Sequence, residues 1–519
     1  MTHIDTAYRE LIRLGRERAL LDSCAALLSW DEETYMPPGG SAHRAEQQAL
    51  LARLAHERAV DPRIGELLEA VSQEGGAEPV GVEAANVRWL RREYERARRL
   101  PGSLVEELAR VTTLAQGAWW SALAEKDVGR FLPWLGRMVT LKRAEASCLV
   151  EGLGESSPLY DALLDAWEPG LRSEALDGVL AALVPELGRL LGRIAGAPQP
   201  AEGPRPGSGS DPEGDMLLGR PVPLPVQRAF AEELAAALGF DLTSGRLDEA
   251  VHPSTLRIGP GDTRLTVRYR TDDFTAGVFT LLHEAGHGLY EQGLPLEHYG
   301  TPVGEALSLG MHESQARLLE NLLGRSHAFA RWALPRLAER AAPHLDGVGL
   351  DAYYRAVNRV APGPNRIRAD EVTYNLHIVV RFELERALVA GTLAPDDLPA
   401  AWNEMYRRQL GVTPADDAVG CLQDGHWAAG MFGYFPTYLL GNLIAAQLYA
   451  SALEAVPDLE VRIAAGELAP LVTWLRDTVH RHGSRLPMQA LVAQATGRPL
   501  SERPLVEYLW AKYGALYGL

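Results

Sequence analysis

The residues best suited to chemistry lie near the middle of the chain, in the segment His283-Glu284-Ala285-Gly286-His287. This is an H-E-x-x-H motif within a helical stretch, and residues four apart point to the same side of a helix. His283 and His287 could therefore present imidazole nitrogens to one Zn²⁺ at about 2.0–2.1 Å. Glu284 would lie beside the open coordination position, as the general base that takes a proton from the metal-bound water in peptide hydrolysis.

A metal-free interpretation of this segment is two histidines and a glutamate on a solvated helix face. Apolar residues flank the motif at Phe279, Leu281, Leu282 and Leu289, and they indicate burial. A buried cluster of two histidines and a glutamate is costly to leave without a partner. The flanking residues therefore favour the metal site.

A third metal ligand must come from elsewhere in the chain, because a catalytic zinc uses three protein ligands and keeps a fourth position for water. The extended motif H-E-x-x-H-x-x-G-x-x-H fails, since Tyr290 and Gly293 stand where it requires Gly and His. A second helical run, Gly304 to Gly324, has an apolar stripe and acidic residues, and a carboxylate on a neighbouring helix can complete a His₂Glu site. The candidates for the third ligand are Glu313, Glu291, Glu305 and His312.

Helices must position these side chains, because apolar residues recur at three- and four-residue spacing along most of the chain. One such stripe runs from Asp5 to Leu28, and another follows the Pro37-Pro38-Gly39-Gly40 stop as far as about Glu57. Strong helix formers continue the pattern from Leu104 to Ala124. We expect residues 1–195 to form an N-terminal helical layer.

A loop and a small sheet precede the motif. Residues 196–225 are rich in Pro and Gly, which is typical of a surface loop. From Arg246 to Tyr269 apolar and polar residues alternate around the turn Gly259-Pro260-Gly261-Asp262, which predicts strands. The fold class is therefore mainly α, with a small β-sheet next to the H-E-x-x-H helix. We expect one helical unit over 1–519, whose catalytic part is 226–519.

Composition and charge exclude several classes of protein. The chain has 519 residues, of which 46% are hydrophobic and 23% charged, values that are ordinary for a folded globular protein. The 51 basic and 68 acidic residues give a formal net charge of −17, which opposes binding to phosphate backbones and anionic lipid. We expect neither nucleic acid nor a membrane as partner. The apolar stretch from Tyr434 to Ala450 is interrupted by Pro436, Asn442 and Gln447, which favours a buried core helix.

The cysteines and the N-terminus indicate the compartment. Cys24, Cys148 and Cys421 show no paired spacing of the metal or redox type, which fits a reducing environment. The first residues contain no basic run followed by an apolar core and a cleavage site. We therefore expect a cytoplasmic protein.

Further motifs occur in a fixed order along nearly the whole chain, and through them the sequence resembles the M32 family of metallocarboxypeptidases, relatives of the Taq-type thermostable carboxypeptidase. The motifs are Trp30-Asp31-Glu32-Glu33-Thr34-Tyr35-Met36-Pro37-Pro38-Gly39-Gly40, His252-Pro253, Asp262-Thr263-Arg264-Leu265-Thr266, His283 to His287, His312-Glu313-Ser314-Gln315, Asn365-Arg366-Ile367-Arg368-Ala369-Asp370 and Gly420-Cys421-Leu422-Gln423-Asp424-Gly425-His426-Trp427. So many matches in one order make the resemblance specific.

The resemblance implies a mostly helical protein with a long deep groove, a small sheet beside the metal, and homodimers. It implies release of single residues from the C-terminus of peptides, with broad specificity and proline disfavoured at the scissile position. The implied cofactor is Zn²⁺, sometimes replaced by Co²⁺. On this resemblance, Glu313 is the third metal ligand.

Two arginines are candidates for binding the terminal carboxylate of a substrate. An exopeptidase must recognise a free carboxylate, and the planar guanidinium fork can donate two parallel hydrogen bonds to it. Arg264 and Arg366 occupy family motifs and are our candidates. The alternative for each is an ion pair within the protein.

Two further residues are candidates for stabilising the oxyanion that forms at the scissile carbonyl. His426 of the Q-D-x-H-W motif is the leading donor, and Asp424 would orient it or a metal ligand. Tyr434 could donate from its phenolic hydroxyl, and Gly433 would let the chain pass close to the substrate. The alternative for His426 and Tyr434 is core packing.

Three positions depart from the family pattern. Ser254 replaces the Phe of H-P-F, and Ala316 follows H-E-S-Q where Ser is usual. The I-R-x-x-A-D stretch of the family reads Asn365-Arg366-Ile367-Arg368-Ala369-Asp370, in which Arg366 aligns with the family arginine and Arg368 places a cation where relatives tend to have an acid. The Arg368 departure bears on side-chain preference and on the charge of the substrate pocket.

The sequence predicts a zinc metallocarboxypeptidase that hydrolyses the C-terminal bond of peptides with Glu284 as general base. One alternative is a metallo-oligopeptidase that cuts internal bonds, from which only the carboxylate clamp separates it. The other is a metal-free helical scaffold that binds peptides. The intact set of ligands and base argues against the scaffold, which has no need of a general base beside a ligand pair.

Overall fold

The computed structural model describes residues 3–73, 81–154, 157–197 and 217–519. Over these residues the chain is mainly helical with one small sheet, as predicted. The α-helices are α1 (His3–Thr34), α2 (Ser41–Ala59), α3 (Pro62–Gln73), α4 (Val82–Arg99), α5 (Gly102–Glu125), α6 (Leu132–Val150), α7 (Leu159–Trp167), α8 (Ser173–Gly196), α9 (Leu224–Leu238), α10 (Phe274–Gly293), α11 (Leu309–Arg317), α12 (His327–Arg340), α13 (Leu350–Val357), α14 (Thr373–Ala390), α15 (Leu398–Leu410), α16 (Pro436–Ala455), α17 (Leu459–Ala465), α18 (Ala469–Thr478), α19 (Met488–Thr496) and α20 (Arg503–Tyr517).

The chain divides into two compact units. The first unit consists of the described residues of Met1–Arg98, Met216–Tyr354 and Leu448–Pro499. The second unit consists of those of Arg99–Asp215, Arg355–Gln447 and Leu500–Leu519.

These units do not follow the predicted division into 1–195, 196–225 and 226–519. The first unit joins the N-terminal helices to segments far along the chain, because α1 packs on strand β2 (Ser254–Gly259) as well as on α2 and α3. Composition and periodicity report only local structure, so they do not reveal such long-range packing. Of the predicted loop 196–225, residues 198–216 lie outside the described residues.

The small sheet lies in the first unit, directly before α10. Its strands are β1 (Gly245–Glu249), β2 and β3 (Asp262–Val267), in the order β1-β3-β2. β1 pairs with β3 in parallel and β2 pairs with β3 antiparallel. The predicted turn joins β2 to β3, where Gly261 has a φ of +74°, a conformation that favours glycine. The alternation of apolar residues therefore predicted these strands correctly.

α10 carries the H-E-x-x-H segment and begins at a side-chain cap. Asp273 accepts hydrogen bonds from the backbone N–H groups of Thr275 and Ala276. Further along, α10 meets α11 backbone to backbone. A Cβ at Gly286 would lie 2.4 Å from the carbonyl oxygen of Gln315 and 2.5 Å from Cα of Ala316. The absence of a side chain at Gly286 thus lets the two helices that carry the candidate ligands approach closely, and Ala316 is fully buried at this contact.

The second run of the predicted site is shorter than expected. The interval from Gly304 to Gly324 was predicted as one helix, but α11 begins only at Leu309, after Ser308 caps it by accepting from the N–H of Met311. Beyond Arg317 the chain continues as a π-helical segment, Leu318–Leu323. π-helical segments inside helices are frequent at functional sites.

In the second unit, α14 is buried along most of its length and carries polar side chains in the interior. Asn375, His377, Arg381 and Glu385 are all fully buried. Charged and polar groups buried to this degree need hydrogen-bonding partners. The partners of Arg381 and Glu385 include residues of the predicted site, which are described below.

The predicted core helix is α16. Asn442 donates to Oδ1 of Asn375 at 2.9 Å, and Gln447 accepts from the N–H of Ser501 at 3.1 Å, so both polar interruptions are buried and bonded. Among the described residues, no single helix has the length and apolar composition of a membrane span. Only α16 and α17 taken together, across a bend of 95°, meet those two criteria.

Candidate metal centre

Three predicted ligands converge in the first unit. His283 and His287 come from α10 and Glu313 comes from α11, and one ligand atom of each lies within 4.8 Å of the other two. Oε2 of Glu313 is 3.9 Å from Nε2 of His283 and 3.8 Å from Nε2 of His287. The structure thus brings together a contiguous motif and a carboxylate from a second helix.

The donor set and the distances fit a metal ion. Two atoms that each contact one zinc at about 2.1 Å are at most about 4.2 Å apart, and both measured separations fall below that limit. Two imidazoles and one carboxylate are also a ligand set of catalytic zinc sites, which leave a position open. This group of residues could therefore hold a divalent cation.

A carboxylate fixes the ring of His283. Nδ1 of His283 lies 2.9 Å from Oε2 of Glu320, and that oxygen also accepts from Nη1 of Arg317 at 2.9 Å. The contact assigns the proton of the neutral ring to Nδ1 and leaves Nε2 as the metal-facing nitrogen. Glu320 stands on the π-helical segment directly after α11.

A histidine fixes the ring of His287. Nδ1 of His287 lies 2.5 Å from Nδ1 of His312, and Nε2 of His312 lies 2.8 Å from Oε1 of Glu291. With Nε2–H of His312 donating to Glu291, its Nδ1 is free to accept from His287. The two alternatives His312 and Glu291 thus lie behind the ligand His287, whereas Glu313 faces both ligand histidines.

The electrostatic environment differs between the two histidines. Burial disfavours the charged form of His283, but the hydrogen bond to Glu320 and the charge of Glu313 outweigh it and raise its pKa to about 9. Burial and the neighbouring His312 and His283 hold the pKa of His287 well below its usual value. Burial likewise opposes ionisation of Glu320, but Arg317 and His283 outweigh it and lower the pKa of that carboxyl.

The predicted general base is buried and held in place. Glu284 is 6% exposed, and its Oε2 accepts a hydrogen bond of 2.7 Å from the hydroxyl of Thr255 on β2. Burial raises the pKa of Glu284, while His283 and the bond from Thr255 act in the opposite direction. A carboxylate with a raised pKa is better matched to taking and returning a proton near neutral pH.

The predicted carboxylate-binding residue Arg366 lies in the second unit, within a buried cluster. Its Nε and Nη2 donate to Oδ1 of Asp424 at 3.1 and 2.7 Å, and its Nη1 donates to the hydroxyl of Tyr374 at 3.2 Å. The other oxygen of Asp424 accepts from Nε of Arg381 at 2.7 Å. Two guanidinium groups therefore share one carboxylate, and the cluster has a net positive charge.

The predicted oxyanion donors stand beside this cluster in the second unit. Nε2 of His426 lies 3.2 Å from the hydroxyl of Tyr438, and its ring centroid is 5.3 Å from that of Tyr434. Asp424 is 3.9 Å from Nδ1 of His426, too far for a hydrogen bond. Burial lowers the pKa of His426 to about 4, with Arg366 acting in the same direction against Asp424. His426 is therefore neutral at pH 7 and able to donate an N–H.

A buried glutamate anchors the segment that carries His426 and Tyr434. Glu385 accepts from the hydroxyl of Tyr160 at 2.8 Å, from Nε1 of Trp427 at 3.0 Å and from the N–H of Gly433 at 3.0 Å. Burial nevertheless raises its pKa to about 7. Gly433 has a φ of +82°, and a Cβ there would lie 2.5 Å from the backbone of Leu163. Its close approach in this structure is thus to α7.

Arg264 is engaged within the first unit. Its Nε and Nη2 donate to the two oxygens of Asp262 at 2.9 and 2.8 Å, and its guanidinium lies 4.1 Å from the ring centroid of Trp30. The guanidinium fork of Arg264, which would bind a substrate carboxylate, is therefore already bonded to Asp262. The pair has no net charge, in contrast to the cluster of Arg366.

Two of the departures from the family pattern lie apart from the ligand set. Ser254 donates to Oε2 of Glu33 at 3.0 Å, and its N–H donates to the hydroxyl of Thr266 at 2.8 Å. Arg368 is exposed in the second unit. These contacts show how Ser254 fits the sheet; nothing in the structure explains the arginine at 368.

Sequence reasoning missed Thr255, the fixed position of Glu320 and the pairing of Arg381. Thr255 is 29 residues before Glu284, and Glu320 is 37 residues after His283. The seven-residue spacing from Glu313 to Glu320 offers one signal, since positions seven apart return to the same helix face. The other partners depend on packing between distant segments.

The chain matches a known protein family along almost its whole length. The sequence model described as "Carboxypeptidase Taq (M32) metallopeptidase" matches residues 10–513. The chain belongs to the M32 family of metallocarboxypeptidases. Among its M32 relatives, it is 48% identical to Thermostable carboxypeptidase 1 of Thermus thermophilus over 522 residues, with 99% of both chains covered. Its identity to Carboxypeptidase 1 of Bacillus subtilis is 33% over 514 residues, again with 99% of both covered.

The M32 fold is also that of solved structures. A crystal structure of the M32 carboxypeptidase from Deinococcus radiodurans R1 superposes with a TM-score of 0.92 at 38% identity, covering 99% of this chain and 100% of that one. The structure titled Pyrococcus furiosus Carboxypeptidase Apo-Mg gives 0.92 at 33% identity, covering 99% of each chain. The predicted family, the mainly helical fold and the assignment as a metallocarboxypeptidase are confirmed.

Proposed function

We propose that this enzyme is a zinc carboxypeptidase that releases single residues from the C-terminus of peptides, with broad specificity and with proline disfavoured at the scissile position. The observation that carries the proposal is the set of His283, His287 and Glu313, with Glu284 adjacent in sequence to one ligand and buried beside them. We assign Zn²⁺ to this set because two imidazoles and a carboxylate match a catalytic zinc site, with Co²⁺ as a substitute.

The bound zinc would polarise the scissile carbonyl and lower the pKa of water. The protein's own part in the reaction falls first to Glu284, which takes a proton from the attacking water and returns it to the leaving amine. Thr255 donates to Oε2 of this carboxylate, so we assign the transferred proton to Oε1. Glu320 and His312 hold the two ligand rings in position.

We assign the substrate carboxylate to Arg366, with Arg264 as the weaker candidate. Two guanidinium groups share the single carboxylate of Asp424, so the cluster of Arg366 has positive charge left for an anion. Arg264 is neutralised by Asp262. We assign oxyanion stabilisation to His426, which donates as a neutral ring, and to the hydroxyl of Tyr434.

The carboxylate assignment is tested with matched peptides that differ only in a free or an amidated C-terminus. We expect Arg366→Ala to raise KM for the free peptide by about tenfold or more, since a charge-assisted bidentate contact is lost, with little effect on the amidated one. Arg264→Ala should discriminate less between the two. Equal changes for both peptides would contradict the role of Arg366, and cleavage of internal bonds in both would favour an oligopeptidase.

We further propose that the enzyme acts as a homodimer in the cytoplasm, on peptides and without nucleic acid or membrane partners. The negative charge of the chain supports the absence of polyanionic partners. The three cysteines form no disulfide in the described part of the chain, which is consistent with a reducing compartment. Light scattering during gel filtration tests the dimer, since a mass near that of one chain would contradict it.

A further inference from the structure

A row of polar side chains leads from the ligand His287 away from the metal ligands. Nδ1 of His287 lies 2.5 Å from Nδ1 of His312, and Nε2 of His312 lies 2.8 Å from Oε1 of Glu291. Oε2 of Glu291 lies 3.5 Å from Nη1 of Arg257. The four residues stand on α10, α11 and β2, so the packing of three elements of the first unit brings them together.

Burial removes water as an alternative partner at the far end of this row. The side chains of Glu291 and Arg257 are 13% and 8% exposed. Oε2 of Glu291 is buried and accepts no hydrogen bond from any residue that the structure describes, so the nearby charge of Arg257 compensates it. Nη1 of Arg257 is fixed in turn, because it donates to the carbonyl oxygen of Gly304 at 2.8 Å. The orientation of the Glu291 carboxylate is therefore set by the arginine.

Metal binding at His287 requires one direction of these hydrogen bonds. The nitrogen that faces Glu313 is Nε2, and it can bind a metal only when the proton of the neutral ring is on Nδ1. That proton is then donated to Nδ1 of His312, which places the proton of His312 on Nε2. An ionised carboxylate accepts and does not donate, so Glu291 stabilises this direction and cannot stabilise the reverse.

We infer that Glu291 and Arg257 are positioning residues for the metal. Arg257 orients Glu291, Glu291 sets the direction of the hydrogen bonds through His312, and Nε2 of His287 is thereby left free for the metal. The inference rests on the proposed zinc site and extends it to two residues that the proposed mechanism does not use.

The two ligand histidines are thus supported in different ways. His283 contacts its carboxylate, Glu320, directly. His287 is separated from Glu291 by a second imidazole, which can carry its proton on either nitrogen. The support of His287 therefore depends on a polarity that a substitution at Glu291 can reverse, without removing any side chain that contacts the ligand.

The test is zinc affinity of the full-length protein, measured by competition with a chelator. Glu291→Gln keeps the size of the side chain but adds a donor. Arg257 attracts the amide oxygen, so the amide NH₂ faces Nε2 of His312 and reverses the hydrogen bonds. We expect zinc binding to weaken by about 10–100-fold. Glu297→Gln, at an exposed position of the first unit, should bind zinc as the wild type does.

A second substitution controls for the loss of charge. Glu291→Met removes the same negative charge but offers His312 no donor. We expect Glu291→Met to bind zinc at least about threefold more tightly than Glu291→Gln, because the apolar side chain leaves both directions of hydrogen bonding open. If Glu291 acted only through its charge, the two variants would bind zinc equally, and that result would overturn the inference.

A double-mutant cycle with Arg257→Met tests the role of the arginine. Beside the native Glu291, which accepts with either oxygen, Arg257→Met should change zinc affinity by less than about threefold. Beside Glu291→Gln, loss of the cation frees the amide oxygen to turn towards His312, so the same substitution should strengthen zinc binding at least about fivefold. Equal effects in both backgrounds, as a long-range effect of charge would give, would contradict the role of Arg257.

The urea midpoint of each metal-free variant reports whether it folds. Should the Arg257→Met variants fail to fold, the comparison of Glu291→Gln with Glu291→Met decides. A wild-type protein that binds no zinc would contradict the proposed zinc site and, with it, this inference. A wild-type protein that binds zinc, together with a Glu291→Gln variant of the same affinity, would contradict the inference alone.

Discussion

The metal centre of the first unit and the arginine cluster of the second unit are opposite in charge. Three carboxylates, Glu284, Glu313 and Glu320, lie at the metal ligands, and Arg317 pairs with the last two. In the second unit, Arg366 and Arg381 share one carboxylate, Asp424. The first arrangement is suited to a divalent cation and the second to an anion. In the proposed function, the first cluster holds the metal and the second binds the terminal carboxylate of the substrate.

The largest effect, a loss of turnover, is expected when the proposed general base Glu284 is replaced and the metal ligands are left intact. Glu284→Gln keeps the shape of the side chain but removes its ability to take a proton, so turnover should fall by about 10²–10⁴. Metal content, measured by mass spectrometry of the protein's metals, should stay unchanged. Glu297→Gln, at an exposed position of the first unit, is the matched control. Loss of metal from Glu284→Gln would show that Glu284 is a ligand.

The next largest effect is a loss of stability when Asp424, the carboxylate shared by Arg366 and Arg381, loses its charge. Asp424→Asn leaves two buried guanidinium groups without a counter-ion, and breaking a buried pair in this way costs about 3–5 kcal/mol. We expect a large fall in the urea midpoint. Asp262→Asn, which breaks the more exposed pair with Arg264, should cost about 0–1 kcal/mol. If the two variants are equally stable, Asp424 is not the counter-ion that stabilises the two buried arginines.

A smaller effect, on metal affinity, is expected when Glu320, the carboxylate that orients the ring of His283, is replaced. Glu320→Gln replaces the carboxylate that fixes His283, and loss of such a partner weakens metal binding by about 10–100-fold. Competition with a chelator measures this affinity. Glu339→Gln on the exposed face of α12 should bind metal as the wild type does, and unchanged affinity in Glu320→Gln would contradict the orienting role.

The smallest effect is a pH dependence of stability. The pKa of Glu385 is raised to about 7 in the folded protein, above the usual value of about 4.3 that we take for the unfolded chain. Between these values the folded state binds more protons, so this group makes stability fall as pH rises from about 4.3 to 7. Glu385→Gln should flatten that part of the curve of urea midpoint against pH. A slope as steep as that of the wild type would show that other groups cause it.

The two regions also differ in how much of them could be predicted from sequence. The ligand pair and Glu284 lie within five residues on one helix, so local periodicity alone brought them together. Glu313 needed the family resemblance, because its approach depends on the contact of Gly286 with Ala316. The strands around Gly261 followed from alternation and turn chemistry.

The contacts that support the two sites depend on packing between distant segments and could not be predicted from the sequence. The pairing of Arg366 with Asp424 spans 58 residues, and that of Arg381 with Asp424 spans 43. Such pairs are not encoded by spacing along one element. The same holds for Thr255 on Glu284, for His312 behind His287, and for the division of the N-terminal helices between two units. Local patterns predicted the elements, whereas the supporting contacts arise only from their assembly.

We propose that this enzyme removes residues one at a time from free C-termini with a metal held by His283, His287 and Glu313. The most direct test of this activity is mass spectrometry of a peptide mixture in which each peptide is supplied with a free and with an amidated C-terminus, with and without a chelator. We predict stepwise loss of single C-terminal residues from the free peptides only, abolished by the chelator and restored by Zn²⁺. Internal cleavage of both sets, or cleavage that the chelator leaves unchanged, would contradict the account.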